Sequence, residues 1–146
     1  MADALADGVR TVRFAEVDVR RVATPAEAVS AGRHRPLFTA DELAGYDGLV
    51  LVAPADGVHA EATRLIAGAA ELRAGGVVSL SVGSALVADA SGAQGDNARW
   101  ALLREVAKLG VVLVPASGDG PEGAKKLGHR VAHVVSWITH AKSHHH

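Results

Sequence analysis

Two clusters of residues in this sequence have the types and spacing to bind a small ligand. The first is the run Pro54, Ala55, Asp56, Gly57, Val58 and His59, directly after the apolar stretch Gly48 to Ala53. A loop at the carboxyl end of a buried strand could hold a planar ligand. Equally, Pro54 could simply make the turn and Asp56 cap the helix that begins at Gly57. The second cluster is Gly83 and Ser84 with the run Ser91 to Gly95, which includes Gln94. Their amides could be offered to a phosphate, and turn chemistry explains the same residues equally well.

Other chemistry has less to stand on. Ser84 lies in "VGSAL", which lacks the flanking glycines of a nucleophile elbow, so no Ser, His and Asp set points to acyl transfer. His129, His133 and His140 share a helical face opposite Leu127, Val131 and Ile138; solvent rather than a metal is the expected neighbour. Trp100 and Trp137 fall on helices and are expected in the core or at a subunit contact. Arg10, Arg13, Arg20, Arg21, Arg33 and Arg35 make the first quarter basic, the pattern of a solvated face.

Composition excludes several classes outright. The 146 residues carry 15 Lys and Arg against 16 Asp and Glu, so no net field draws the chain to nucleic acid or to an anionic membrane. There is no cysteine, hence no disulfide, thiolate nucleophile or cysteine-bound zinc. No apolar run reaches the roughly 20 residues of a membrane helix, and a cytoplasmic location is expected. Residues 1–143 read as one domain, and the closing "HHH" at 144–146 reads as the remnant of a purification tag.

Elements must position these clusters. Residues 2–11 predict a helix with Leu5 and Val9 on one face. "FAEVDVRRV" from Phe14 alternates Val17 and Val19 with Glu16, Asp18 and Arg20, predicting a strand with one wet face or an edge position. Residues 23–38 read as a long connection, and Thr39 with Glu42 as the capping box of a short helix. Gly48 to Ala53, "GVVSLSV" from Gly76 and "VVLVPA" from Val111 are apolar enough to predict strands covered on both faces. Between and after them, helices are predicted over 57–74 and 96–109 and from Gly120-Pro121 onward, the last with the stripe Leu127, Val131, Val134 and Ile138. The alternation of helix and strand predicts an α/β fold with a doubly wound, mainly parallel sheet of about four strands. Residues 54–59, 82–95 and 115–120 would then share the rim at the carboxyl ends of the strands.

The segments "MADALADGV", "AEVDVRRV", "TADELAGYDGLVLVAPADG", "LGVVLVP" and "GDGPEGAKKLGHRVAHV" resemble, in this order, the flavodoxin-like quinone reductases of the WrbA type. The resemblance covers most of the chain, and "ELxxYD" with its strand and "GxxVA" in the last helix are its more specific parts. It implies a five-stranded parallel sheet of order 2-1-3-4-5 that binds FMN, NAD(P)H as electron donor, a quinone as acceptor, and a homo-oligomer. The departures are as informative. The family's apolar first strand and phosphate-wrapping loop have no counterpart before Met1, so the resemblance implies a sheet lacking its central strand. Pro54 to His59 stand where relatives have Pro-Thr-Arg-Phe-Gly-Asn, and "VGSALVADASGAQGD" stands for the glycine-rich loop, retaining Gly83, Ser84, Gly92 and Gln94. Aromatic content is 3%, which leaves little to stack on a flavin ring.

Two functions emerge as expectations: a relative of the FMN-dependent NAD(P)H:quinone oxidoreductases with weakened or lost FMN binding, or a non-catalytic, oligomeric assembly module on the same scaffold. The strand Gly48–Ala53 would carry a bare row of amides and carbonyls. "FAEVDVRRV" could close on it, a second subunit could cover it, or its natural neighbour could lie upstream.

Overall fold

The computed structural model describes residues 1–20, 40–54, 60–88, 92–116, 118 and 120–143. In these the chain forms α1 (Ala2–Arg10), a 3-10 turn (Ala40–Leu43), β1 (Gly48–Pro54), α2 (Ala60–Ala74), β2 (Val82–Ala88), α3 (Gly92–Ala107), β3 (Val112–Leu113) and α4 (Gly120–Ser143). The strands make a parallel sheet in the order β1-β2-β3. Gly48 is in register with Val82 and Pro54 with Ala88 across the first pair, and Val82 with Val112 across the second.

Helices cover both faces, as a parallel sheet requires. Leu65, Ile66 and Ala69 of α2 and Leu102, Val106 and Leu109 of α3 and the turn after it pack with Leu51, Ala85 and Val87 of the sheet. On the opposite face Leu5 and Val9 of α1 and Leu127 and Val131 of α4 pack with Val82 and Leu86. Alternate residues of β2 thus feed two separate cores, the period-two consequence of a strand buried on both sides. The α/β class is as expected from the sequence.

The contact between α1 and α4 is a backbone contact. A β-carbon at Gly8 would lie 1.9 Å from the carbonyl oxygen of Lys125, and one at Gly128 would lie 2.0 Å from that of Leu5. Only glycine at both positions lets the helices approach this closely.

Four predicted elements come out differently. The segment predicted as a strand from Phe14 forms no ladder over 15–20. Phe14 itself takes a left-handed conformation, φ 66°, in the turn that leaves α1, with its side chain 88% exposed. Val17 packs against the core between α1 and α4, whereas Val19 is 51% exposed; a strand also needs a partner, and β1 pairs only with β2 among the described residues.

The strand predicted from Gly76 lies six residues later. Val78 and Leu80 are buried as the chain enters the sheet, but the ladder with β1 begins at Val82. The third strand is two residues long rather than six. Thr39 of the expected capping box lies outside the described residues, and the residues after it, Ala40–Leu43, form a 3-10 turn rather than an α-helix.

Candidate functional site

The rim predicted for ligand binding is built in part. Pro54 ends β1 and Ala88 ends β2, side by side in register. Ala55, Asp56, Gly57, Val58 and His59 lie outside the described residues, as do 89–91, 117 and 119. Gln94 sits in the first turn of α3.

Gly83 and Ser84 are not on that rim, which corrects the expectation that 82–95 form one loop. They occupy the second and third positions of β2, paired with Leu49 and Val50 at the start of β1. Four strand residues, Ser84 to Val87, separate Gly83 from the carboxyl end at Ala88, a span of roughly 16 Å. Gly83 is glycine because of crowding: a β-carbon there would meet Val106 Cγ1 at 2.5 Å and Val111 Cγ2 at 2.7 Å. Ser84 is fully buried, and its hydroxyl donates to the carbonyl oxygen of Val114. It adds a side-chain tie between β2 and Val114, whose amide already donates to the Gly83 carbonyl. Neither residue offers a group to a phosphate at the rim. The turn-like look of "VGS" hid a central strand.

The histidine face is engaged within the helix pair. Thr11 Oγ1 and His129 Nδ1 lie 2.5 Å apart, the His129 and His133 rings meet edge to face at 4.5 Å, and Trp137 lies 5.8 Å from His133. Among the described residues no three His, Asp or Glu side chains are grouped to hold a metal ion. Trp100 and Trp137 are 61% and 66% exposed, so neither is a core residue.

A large recess adjoins the other edge of β1. It is an open, mainly apolar groove of about 1260 Å³. Leu5, Val9 and Val135 contribute from the α1 and α4 side, and Leu43, Ala62 and Leu65 from the α2 side. The segment from Val12 to Arg20 forms the outer wall. Tyr46 anchors that wall by donating its hydroxyl hydrogen to the Asp18 carboxylate. This hydrogen bond, with lesser contributions from desolvation and the Asp18 charge, raises the Tyr46 pKa above its ordinary value.

The direction of the backbone groups at the groove is set by the ladder. The carbonyl of Asp47 accepts from the amides of Ser81 and Val82 and therefore points toward β2. On the other side of β2, Val112 and Val114 donate to the carbonyls of Ser81 and Gly83. Because strand groups alternate, Leu49, Leu51 and Ala53 face β2, whereas the N–H and C=O of Gly48, Val50 and Val52 face the groove. Pro54, the next residue in that outward series, has no N–H to leave unpaired. The signal for this surface was in the sequence as a continuous apolar run, Gly48 to Ala53, with a single strand to pair it.

No protein-family model matches the chain. No described helix is long and apolar enough to cross a membrane.

Proposed function

We propose that the chain is a flavodoxin-like protein related to the FMN-dependent NAD(P)H:quinone oxidoreductases of the WrbA type, with FMN affinity weakened or lost. The observation that carries the scaffold half of this reading is the sheet: three parallel strands in sequential order, wound by helices on both faces, with Pro54 and Ala88 ending side by side. β1, β2 and β3 then take the places of strands three, four and five in the order 2-1-3-4-5, and the groove takes the place of the central strand. The burial of Gly83 and Ser84 inside β2 supports the loss of flavin affinity. No described side chain is given an acid, base or nucleophile role, and electron transfer from NAD(P)H to a quinone is not part of the reading without bound flavin.

The test is a titration of FMN fluorescence with the purified protein. Absence of saturable quenching up to about 100 μM protein fits the reading, whereas tight stoichiometric uptake and a yellow preparation contradict it.

A second reading, an assembly module in the cytoplasm that works through contacts with other chains or with a second copy, is favoured by one specific observation. Among the described residues, the backbone groups of Gly48, Val50 and Val52 face a large apolar groove instead of a neighbouring strand. Exposed strand edges of this kind promote association.

A further inference from the structure

We propose that His129 and His133, one turn apart on α4, form a two-imidazole site for a divalent transition-metal cation, Cu2+ binding tightest, and that Thr11 at the end of α1 orients one of the two ligands. Neither histidine lines the groove beside β1, and the site goes beyond both readings above.

Spacing is the first argument. Residues four apart on a helix stand one above the other on the same face, so two imidazoles at this interval can share one ion. The His129 and His133 ring centroids are 4.5 Å apart. Two imidazoles bound at right angles, each with its nitrogen about 2.0 Å from the metal, bring their centroids to about 4.5 Å, whereas a tetrahedral angle needs about 5.1 Å. The observed separation matches adjacent corners of a tetragonal site, the geometry of Cu2+, which also tops the affinity order of the divalent first-row metals.

Proton bookkeeping is the second. The Thr11 hydroxyl donates its one hydrogen to the Gly8 carbonyl at 2.6 Å. Toward His129 its oxygen is therefore left as an acceptor, and Nδ1, 2.5 Å away, carries the proton and donates it. In the neutral ring the lone pair then stands on Nε2, and His129 is exposed. A hydrogen bond from the far N–H of a ligand histidine is the usual device by which metal sites fix the tautomer and raise the basicity of the ligand nitrogen. His133 meets His129 and Trp137 through ring contacts.

The surroundings select the class of ion. Among the described residues no third His, Asp or Glu joins the pair, so water completes the coordination. Hard cations such as Ca2+ and Mg2+, which require carboxylate or carbonyl oxygens, are disfavoured. Lys125, one turn before His129, adds a positive charge, so affinity comes from the nitrogen bonds and not from charge attraction.

The probe is Cu2+, titrated into the full chain carrying His144→Ala, His145→Ala and His146→Ala so that the closing histidines do not compete. Tryptophan fluorescence is the signal, because Trp137 lies 5.8 Å from His133. The expected result is saturable quenching by one equivalent of Cu2+, unaffected by a large excess of Mg2+. Electron paramagnetic resonance of the same chain with one equivalent of Cu2+ should show coupling to two nitrogens. His129→Gln and His133→Gln should each weaken binding about tenfold or more while keeping the native circular dichroism, and Thr11→Val, which keeps both ligands, should weaken it about tenfold. Quenching that does not saturate, a copper spectrum without two coupled nitrogens, or an affinity that survives either histidine substitution overturns the proposal. An unchanged affinity in Thr11→Val overturns the part assigned to Thr11.

Discussion

Two regions of this molecule are finished in opposite ways. Where α1 crosses α4, packing is so close that Gly8 and Gly128 bring backbone against backbone. Along the outer edge of β1 a row of backbone groups meets a groove large enough for another strand. One region is sealed by the chain itself, and the other, among the described residues, faces no neighbouring strand. The contrast teaches that the scaffold is stabilised by its two helical layers and by β2, while the outer edge of β1 takes no part in a ladder among the described residues.

That comparison is broken or sharpened by substitution. The largest effect is expected at the sealed side. Gly128→Ala or Gly8→Ala drives a methyl group into a carbonyl oxygen and should destabilise the fold by about 3 kcal/mol or more, seen as a lowered midpoint in urea unfolding. If either variant is as stable as the parent, the helices do not cross as described.

Next is the strand between the two regions. Ser84→Ala removes the donor to the Val114 carbonyl and leaves that acceptor unpaired, with an expected loss of about 1–3 kcal/mol in the same measurement. An unchanged midpoint would show that Ser84 is not a buried tie and would reopen its assignment to a loop.

The smallest effect belongs to the tether of the groove wall. The Tyr46 hydroxyl has its pKa raised by the bond to Asp18, so its protonated form is favoured in the folded state. Its contribution is therefore complete below about pH 10, the ordinary tyrosine value, and is lost as pH rises through the raised one. The amides of 15–20 should exchange faster than expected from base catalysis alone above that pH, and Tyr46→Phe should abolish this pH dependence. Identical behaviour of parent and variant would remove the tether from the account.

Much of this fold was legible in the sequence because burial dictates pattern. The uninterrupted apolar run Gly48 to Ala53 marks a strand covered on both faces, and Leu127, Val131, Val134 and Ile138 mark the inward stripe of α4. The displacement of β2 has an equally physical cause. Gly83 and Ser84 have the composition of a turn, but the glycine makes room for Val106 and Val111, and the serine satisfies a distant carbonyl. Neither partner is visible from local sequence. The segment 15–20 shows the converse: it has the alternation of a strand but pairs with no strand among the described residues. The candidate binding surface was legible only as an inference about a missing neighbour, because a groove between separate elements leaves no local motif.

Native-state hydrogen exchange along β1, measured on the free protein at low concentration, tests the central claim most directly. The account predicts a period-two pattern, with Leu49, Leu51 and Ala53 protected by β2 and with Gly48, Val50 and Val52 exchanging about tenfold faster or more. Uniform protection from Gly48 through Ala53 would mean that β1 already has neighbours on both edges, and the open edge would not exist.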